Sequence, residues 1–298
     1  MNLIFENKSS ENIYFFLSPH LDDVVFSCGG LIAKVTAAGC LADVITFYTR
    51  QSDPALYPPN LLKQVKKLAD YNTRQKEDIA ALTLLKANWL HLDYIDRFFR
   101  PPWLTNIFKV FNTPKEPNLK GFNNLVSIKE YITKLVENNP KSKFFAPFGL
   151  GNHYDHVELF LASLMVAKEF NILDRFFFYE DIQGLGKRIR EKHVIARKIK
   201  SKWLNSPSYH SITGIFLDFT ISSNINSLNL FDYLPEEYQS LEWSVNTESI
   251  KKFKDKKLKA ASSYKTQLRP IGGSKFFIRL MYLSNKLWGD SESYWIAN

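Results

Sequence analysis

The sequence predicts an α/β protein with a Rossmann-like, mostly parallel sheet, helices on both faces and a C-terminal extension. Short apolar runs alternate with longer segments in which apolar residues recur at helical spacing, which is typical of βαβ units. In addition, clusters of His and Asp directly follow two of the apolar runs. Polar side chains at the carboxyl ends of parallel strands meet in the crevice where such sheets bind ligands, so the clusters favour the same fold.

The first third of the chain contains three predicted strands and two predicted helices. A strand over residues 13–17 precedes a helix over 30–38, which Gly39 ends in the position where helices favour glycine. The elements that follow in order are a strand at 42–49, a Pro-containing loop at 53–59, a long helix at 62–86 and a strand at 89–92.

The middle of the chain begins with an irregular insertion. Residues 93–123 contain four prolines and several aromatic residues, and we interpret them as a rim over the site. A helix near 126–137 then precedes a strand that ends at Pro147, and helical spacing resumes after His156.

The C-terminal part is less regular in its pattern. Residues 206–298 alternate less clearly, and 268–298, with two tryptophans, is interpreted as an extension packed on the body. At this length one chain can bury a single substantial core. We therefore expect one domain over 1–298, with its core at 10–205.

Two clusters carry the chemistry. The first reads SPHLDD and contains His20, Asp22 and Asp23, and the second reads GNHYDH and contains His153 and His156. Three of the six histidines of the chain lie in these clusters, which favours a metal site over isolated structural histidines.

The spacing within each cluster suggests how a metal would be bound. His20 and Asp23 are three residues apart and point the same way in a tight turn, whereas Asp22 is rotated towards the place of a metal-bound water. With His156 they form a set of nitrogen and oxygen ligands that leaves coordination open, as in catalytic zinc sites. Water bound there has a pKa of about 7 and can attack a carbonyl at neutral pH.

The motifs together resemble the LmbE/PIG-L-type zinc-dependent N-deacetylases. The resemblance begins with PHLDD at 19–23, CGG at 28–30 and HYDH at 153–156. Further segments that resemble the family are its Arg-x-x-Glu segment at 74–77, its tyrosine-acid segment at 179–181 and its Lys…Gln helix at 257–267.

The chain departs from the family pattern at three positions. The first family motif commonly reads PHPDDE, whereas this chain has Leu21 and Val24 at the variable places. The missing acid at position 24 is a supporting group and not a ligand. Gly151 stands where some members carry a tyrosine, so no tyrosine acid is expected there.

The resemblance implies a role for each motif residue. Asp22 would be the general base that deprotonates the water, and His153 would stabilise the oxyanion or help protonate the leaving amine. Asp155 would accept a hydrogen bond that orients a histidine ring. The implied zinc ligands are His20, Asp23 and His156.

The remaining candidate residues concern the substrate. Arg74 could bind it, although an ordinary surface ion pair with Glu77 is the alternative, and Glu180 is a candidate for a contact with the substrate or with a ligand. We expect the insertion at 93–123 and the 257–267 segment to form a sugar-binding rim, the alternative being that their aromatics only hold the insertion to the body. The rim candidates are Tyr94, Phe98, Phe99, Trp103 and Tyr264 for stacking, with Arg74, Arg97 and Arg100 as donors.

Composition excludes several classes of protein. Charged residues make up 23% and hydrophobic residues 45%, as in an ordinary globular protein. The two cysteines are too few for a disulfide framework, and no apolar stretch approaches the roughly 18 residues that span a bilayer. The N-terminal residues lack the basic start and apolar core of a signal peptide, so we expect a cytoplasmic protein. His91, His193 and His210 are isolated and are not expected to be ligands.

The net charge of +9 does not decide whether the protein binds an anionic partner. Much of the excess lies at 187–202 and 251–259, which are either solvated helix faces or surfaces that attract an anionic partner. Nucleic acid is not expected because these stretches contain no recognised reading motif. A dinucleotide cofactor is not expected because Gly29-Gly30 is not part of a Gly-x-Gly-x-x-Gly turn.

We therefore expect a Zn²⁺-dependent hydrolase that removes the acetyl group from an N-acetylated amino sugar. The substrate would be an N-acetylglucosaminyl-type small molecule or glycoconjugate, a class that comes from the resemblance. Two alternatives stay open: a metal-dependent amidase acting on another acyl-amine substrate, and a non-catalytic basic protein that binds an anionic partner.

Overall fold

One seven-stranded sheet organises the molecule. The computed structural model describes residues 13–59, 70–114, 119–182, 186–198, 212–225, 230–269, 273–275, 277–278, 281 and 288–298. The strands are β1 (Ile13–Ser18), β2 (Leu41–Arg50), β3 (Asn88–Ile95), β4 (Lys143–Pro147), β5 (Phe176–Tyr179), β6 (Trp243–Ser249) and β7 (Ser291–Ala297). Their order across the sheet is β3-β2-β1-β4-β5-β7-β6.

The strand order places a switch point at the centre of the sheet. Strands β1 to β5 run parallel, whereas β7 is antiparallel to β5 and β6 is antiparallel to β7. The chain leaves β1 towards β2 and β3 on one side and continues with β4 and β5 on the other. The two directions diverge between β1 and β4, which is where open α/β sheets form a binding crevice.

Helices cover both faces of the sheet, as the alternating pattern predicts. Helices at 125–138 and 154–169 contribute to the core on one face, and helices at 23–37, 71–85 and 254–261 contribute to the core on the other. The helices within the described residues are α1 (Asp23–Ala37), α2 (Tyr71–Leu85), α3 (Leu125–Asn138), α4 (Tyr154–Glu169), α5 (Lys187–Lys192), α6 (Ile212–Asn224), α7 (Lys254–Ala261) and α8 (Lys265–Leu268). The predicted α/β fold is confirmed. None of these helices is long and apolar enough to cross a membrane.

Aromatic side chains fill the centre of the sheet on both faces. Phe15 stacks on Phe144, which stacks on a third Phe from β5, with ring centroids 5.4 and 4.9 Å apart. On the opposite face Phe16 and Phe145 begin an equivalent row, with centroid distances of 4.8 and 4.9 Å. Burying a Phe contributes roughly 1.5–3 kcal/mol, so these rows anchor β1, β4 and β5 against one another.

Helix α1 begins at Asp23, earlier than the predicted start at residue 30. The two glycines mark a contact inside the helix. A Cβ at Gly30 would lie 2.7 Å from Ile250 Cδ1, and a Cβ at Gly29 would lie 3.1 Å from Lys257 Cγ. The glycines therefore let the C-terminal part of the chain approach α1 closely.

The C-terminal part joins the sheet, whereas the sequence predicts only a less regular extension packed on the body. Every residue of β7 is buried between β5 and β6. Its Glu292 carboxylate accepts hydrogen bonds from the backbone N–H groups of Gly30 (2.9 Å) and Leu31 (2.6 Å) and from Lys257 Nζ (2.6 Å). The polar start of β7 is thus buried because it is bonded to α1, which a sequence pattern based on apolar residues cannot indicate.

The other predicted elements differ from the observed ones mainly at their ends. The described part of the predicted long helix is α2, and residues 62–69 of that prediction lie outside the described residues. Residues 93–95 of the predicted insertion belong to β3, and the rest of the insertion consists of loops and short 3₁₀ turns where it is described. Both cysteines, Cys28 and Cys40, are buried free thiols.

Candidate metal centre

The two His and Asp clusters meet at the switch point of the sheet. β1 and β4 are paired in parallel and end at the same edge. His20 lies in the turn after β1, Asp23 is the first residue of α1, and His156 lies in the first turn of α4. The fold therefore brings together clusters that are more than one hundred residues apart in the chain.

Three ligand-type atoms converge in this crevice. Asp23 Oδ2 lies 2.9 Å from His20 Nδ1 and 3.0 Å from His156 Nε2, and the two ring nitrogens lie 3.3 Å apart. Zinc bonds of about 2.0–2.2 Å place neighbouring ligand atoms about 3–3.5 Å apart. The spacing of these three atoms therefore fits a divalent cation.

The outer nitrogens of both imidazoles are bound to carboxylates. His20 Nε2 lies 3.0 Å from Asp155 Oδ2, and His156 Nδ1 lies 2.6 Å from Asp181 Oδ1. An N–H must donate at each contact because a carboxylate only accepts. When the rings are uncharged, the opposite nitrogen of each ring directs a lone pair at Asp23 Oδ2. The three acceptor atoms then need positive charge between them, either a metal ion or protons on the ring nitrogens.

The electrostatic field of the centre also favours positive charge. Burial opposes the charged form of His156, but Asp23 and Asp181 outweigh it and raise its pKa to about 10. For His20, burial is likewise outweighed by surrounding carboxylates, and its pKa lies well above the usual value. Burial alone would raise the pKa of Asp23, yet the two histidines hold it well below its usual value. The carboxylates of this site thus attract protons to the ring nitrogens when no metal competes for them.

Asp155 contacts His20 as expected for a carboxylate that orients a ring. It is fully buried in α4. Burial would raise its pKa, but Arg100 and His20 hold that pKa well below the usual value. Asp181 plays the equivalent part for His156 and was not among the predicted site residues, although it belongs to the same YED segment as Glu180.

Asp22 has an unusual backbone conformation. Its φ of 125° lies in a region that L residues rarely adopt, and such outliers gather at functional sites. The carboxyl is buried, and burial together with the charge of Asp23 raises its pKa well above the usual value. A carboxylate with a raised pKa binds a proton more readily, which suits a general base.

His153 lies beside the three converging atoms as a neutral donor. Its ring centroid is 4.8 Å from that of His20 and 4.9 Å from that of His156. Nδ1 accepts the backbone N–H of Asp155 (3.3 Å), which leaves the ring proton on Nε2. Burial and the two other histidines hold the pKa of His153 well below its usual value, so the ring is uncharged.

Arg74 is buried at the base of the site. Its guanidinium lies over the ring of Tyr71 at 4.6 Å, and its positive charge acts on Asp22. Within the described residues, Arg74 Nε has no hydrogen-bond partner. The alternative of an ion pair with Glu77 is not what the structure shows, because Glu77 accepts hydrogen bonds from Thr266.

Two predicted substrate residues are corrected by the structure. The Glu180 carboxylate accepts two hydrogen bonds from Arg190 (2.7 and 2.8 Å) and one from each of the indoles of Trp288 and Trp295 (3.0 Å each). Glu180 is therefore a structural anchor that joins Arg190 to the two indoles. Tyr264 is fully buried and donates to Asp78 (2.6 Å), so it is not available for stacking on a sugar.

The predicted rim is largely packed into the protein. Phe98 and Phe99 are buried, and both side-chain amino groups of Arg97 donate to carbonyls of its own loop. Trp103 is half-buried, with its ring 5.5 Å from that of Tyr57, and remains the rim candidate. The 257–267 segment lies against α1 and α2 and is not a rim, because Lys257 is buried in its ion pair with Glu292.

Two of the three isolated histidines have partners within the described part of the chain. His91 Nε2 is 2.9 Å from Asp78, and His193 Nε2 is 3.2 Å from the Phe148 carbonyl. Burial lowers the pKa of His193 to about 4. His210 and the end of the basic stretch at 199–202 lie outside the described residues.

Solved structures of deacetylases have the same fold. The A40926 pseudoaglycone deacetylase Dbv21 is 19% identical, with 97% of this chain and 98% of that chain covered and a TM-score of 0.63. A deacetylase of the teicoplanin biosynthesis pathway is 21% identical, with 96% and 98% covered and a TM-score of 0.66. The N,N'-diacetylchitobiose deacetylase from Pyrococcus horikoshii is 16% identical, with 99% and 86% covered and a TM-score of 0.52. No curated protein sequence matches the chain.

A family profile makes the relationship specific. Residues 15–167 match PIG-L, described as GlcNAc-PI de-N-acetylase. This segment is slightly more than half of the chain and runs from β1 to α4, so it contains both clusters that meet at the switch point. The resemblance seen in the motifs is thereby confirmed, and the chain belongs to the PIG-L family.

Proposed function

We propose that the protein is a zinc-dependent N-deacetylase that hydrolyses the acetamide of an N-acetylated amino sugar, either a small N-acetylglucosaminyl compound or a glycoconjugate. The observation that carries the proposal is the convergence of His20 Nδ1, Asp23 Oδ2 and His156 Nε2 within 2.9–3.3 Å. Membership of the PIG-L family supports the substrate class.

The three converging atoms would hold the metal. The set contains two imidazole nitrogens and one carboxylate oxygen, which suits zinc and leaves coordination open. When bound, zinc lowers the pKa of water to about 7 and polarises a carbonyl. Asp155 and Asp181 keep both rings in the orientation that directs a lone pair at the centre.

Asp22 would serve as the general base. Its buried carboxylate accepts a proton from the attacking water, and its raised pKa means that the proton is then held on the carboxyl. The same proton can pass to the nitrogen of the leaving amine when the C–N bond breaks. Asp22 lies just before α1 in a strained backbone conformation, and Asp23 is the first residue of α1, so the two neighbouring carboxylates differ in their local backbone and would serve different roles.

His153 would stabilise the charge that develops on the acetyl oxygen. His153 Nδ1 accepts the hydrogen bond from the Asp155 backbone, so the ring proton is on Nε2. The neutral ring can donate a hydrogen bond from Nε2–H to an oxyanion. A donor positioned in this way contributes about 3–4 kcal/mol to transition-state stabilisation. Arg74 and Trp103 would contact the sugar, the first through its hydroxyls or a phosphate and the second by stacking.

The test combines elemental analysis of the purified protein with acetate release. We expect one equivalent of zinc per chain and acetate release from N-acetylglucosaminyl compounds. The comparison is hydrolysis of a panel of amines that carry acyl groups other than acetyl. A protein that binds metal but hydrolyses only those other acyl-amines would be an amidase instead. Absence of a metal requirement, together with steeply salt-dependent binding of an anionic partner, would identify the binding protein.

A further inference from the structure

Asp155 is more tightly held than a ring-orienting carboxylate requires. Its Oδ2 atom accepts hydrogen bonds from His20 Nε2 (3.0 Å) and from the backbone N–H of Arg97 (2.8 Å). Its Oδ1 atom accepts a hydrogen bond from Arg100 Nη2 (2.7 Å). Both oxygens are therefore fixed, and two of the three donors come from the loop after β3.

Several neighbouring groups hold the Arg100 side chain in this position. It is 6% exposed, and its guanidinium lies 5.2 Å from the ring centroids of both Tyr48 and Tyr154. Nη2 also donates to Glu158 (3.2 Å), and Nη1 donates to the Ile95 carbonyl. A planar guanidinium held in this way can fix the direction of a carboxylate as well as balance its charge.

The same atoms could suggest a second cation site. His20, Asp96 and Asp155 each offer an atom within 4.8 Å of the others. However, Asp96 Oδ2 already accepts the hydroxyl proton of Tyr71 (2.8 Å), and both oxygens of Asp155 already have donors. The group is therefore a hydrogen-bond network that supports His20 from outside.

We propose that Arg100 is a positioning residue that acts through Asp155. Arg100 keeps the Asp155 carboxylate directed at His20 Nε2, which holds the imidazole with Nδ1 facing Asp23 and His156. The metal affinity of the centre then depends on a residue of the insertion loop that makes no contact with a ligand atom. The inference rests on the proposed function, because it takes His20, Asp23 and His156 as the ligands.

The experiment measures zinc affinity by competition with a chromophoric chelator. We expect Arg100→Gln to weaken zinc binding about 10- to 100-fold, the range typical of groups that orient metal ligands. Asp155→Asn should produce a loss of at least the same size. The double variant should bind zinc no more weakly than Asp155→Asn alone, since Arg100 acts through that carboxylate.

The matched control is Arg175→Gln. This arginine donates to the backbone carbonyls of Ser142 and Asn139 and, like Arg100, lies over an aromatic ring, that of Phe144 at 5.4 Å. Its loss should lower the melting temperature without changing zinc affinity. If Arg100 contributed to stability alone, Arg100→Gln would likewise lower the melting temperature and leave zinc affinity unchanged.

Two outcomes would overturn the inference: unchanged zinc affinity in Arg100→Gln, or additive losses in the double variant. If Arg100→Gln does not fold, Arg100→Lys carries the test. Its single ammonium cannot bond Asp155 and Glu158 as a planar fork does, so zinc affinity should fall severalfold, and an unchanged affinity would refute the proposal. Failure of the proposed function looks different, because the unmodified protein would then bind no zinc.

Discussion

Asp22 combines a strained backbone with a buried carboxyl, and two substitutions separate these contributions to stability. Asp22→Asn removes the negative charge and keeps Cβ in the same backbone conformation at φ 125°. Asp22→Gly removes the charge and also relieves the strain, because glycine has no Cβ. Both remove the proposed general base, so both should lower turnover by about 10²-fold or more.

The magnitude of the strain follows from the backbone angle. A non-glycine residue in such a region costs about 1–3 kcal/mol, and glycine loses about 0.5–1 kcal/mol through the freedom it adds to the unfolded chain. Asp22→Gly should therefore have a free energy of unfolding up to about 2.5 kcal/mol higher than Asp22→Asn. For a chain of this size the difference is at most about 4 °C in Tm.

The contribution of the charge depends on pH. Because the folded protein raises the pKa of Asp22 above its ordinary value of 3.8, ionising this group at neutral pH disfavours the folded state. Asp22→Asn should therefore be more stable than the parent protein at pH 7. The gain should vanish below pH 3.8, where the parent residue is protonated in both the folded and the unfolded state.

The assay is urea unfolding of chelator-treated protein, followed by turnover of the zinc-loaded variants. Asp93→Gly is the matched control, since Asp93 is exposed and its φ of 58° lies in the ordinary left-handed region. The free energy of unfolding should increase less in Asp93→Gly than in Asp22→Gly. Destabilisation of Asp22→Gly relative to Asp22→Asn, or full turnover in either variant, would refute the reasoning.

Four further outcomes are expected. His20→Ala and His156→Ala should each lose most bound zinc by elemental analysis, and stoichiometric zinc in both would contradict the ligand assignment. Zinc binding at pH 7 should release protons, since the pKa of His156 is about 10 without metal. Calorimetry in two buffers of different ionisation enthalpy should then give two different binding enthalpies. Equal binding enthalpies in the two buffers would argue against proton release. Trp103→Ala should raise KM with kcat and zinc content unchanged, whereas parent-like KM would leave the ring a packing role. Gly30→Ala should lower Tm, because its Cβ would lie 2.7 Å from a neighbouring side chain; an unchanged Tm would show that the neighbour moves at little cost.

The sequence predicts the site best where metal-binding residue types directly follow a predicted strand. The motif residues His20, Asp23 and His156 could be named in advance because each follows an apolar run, and parallel strands bring such positions together. Four of the five parallel strands are equally predictable, because each is a short run rich in apolar residues.

The contacts between distant segments were not predictable in the same way. Asp181 and Glu180 are adjacent acids, and only the direction of the chain after β5 decides which one reaches His156. The sequence places Tyr264 in the sugar-binding rim, yet its ring is buried against α1 and its hydroxyl is bonded to Asp78. Long-range partners of this kind leave no periodic trace in the sequence.

The place of β7 in the sheet has a consequence for how the protein is made. β5 ends at Tyr179, and its neighbour β7 begins at Ser291, more than one hundred residues later. At a synthesis rate of about 5–20 residues per second, the nascent chain exposes the open edge of β5 for roughly 5–20 seconds before the partner strand emerges. An unpaired edge rich in Phe is a template for aggregation, so a chain that stops before residue 291 should depend on chaperones or precipitate.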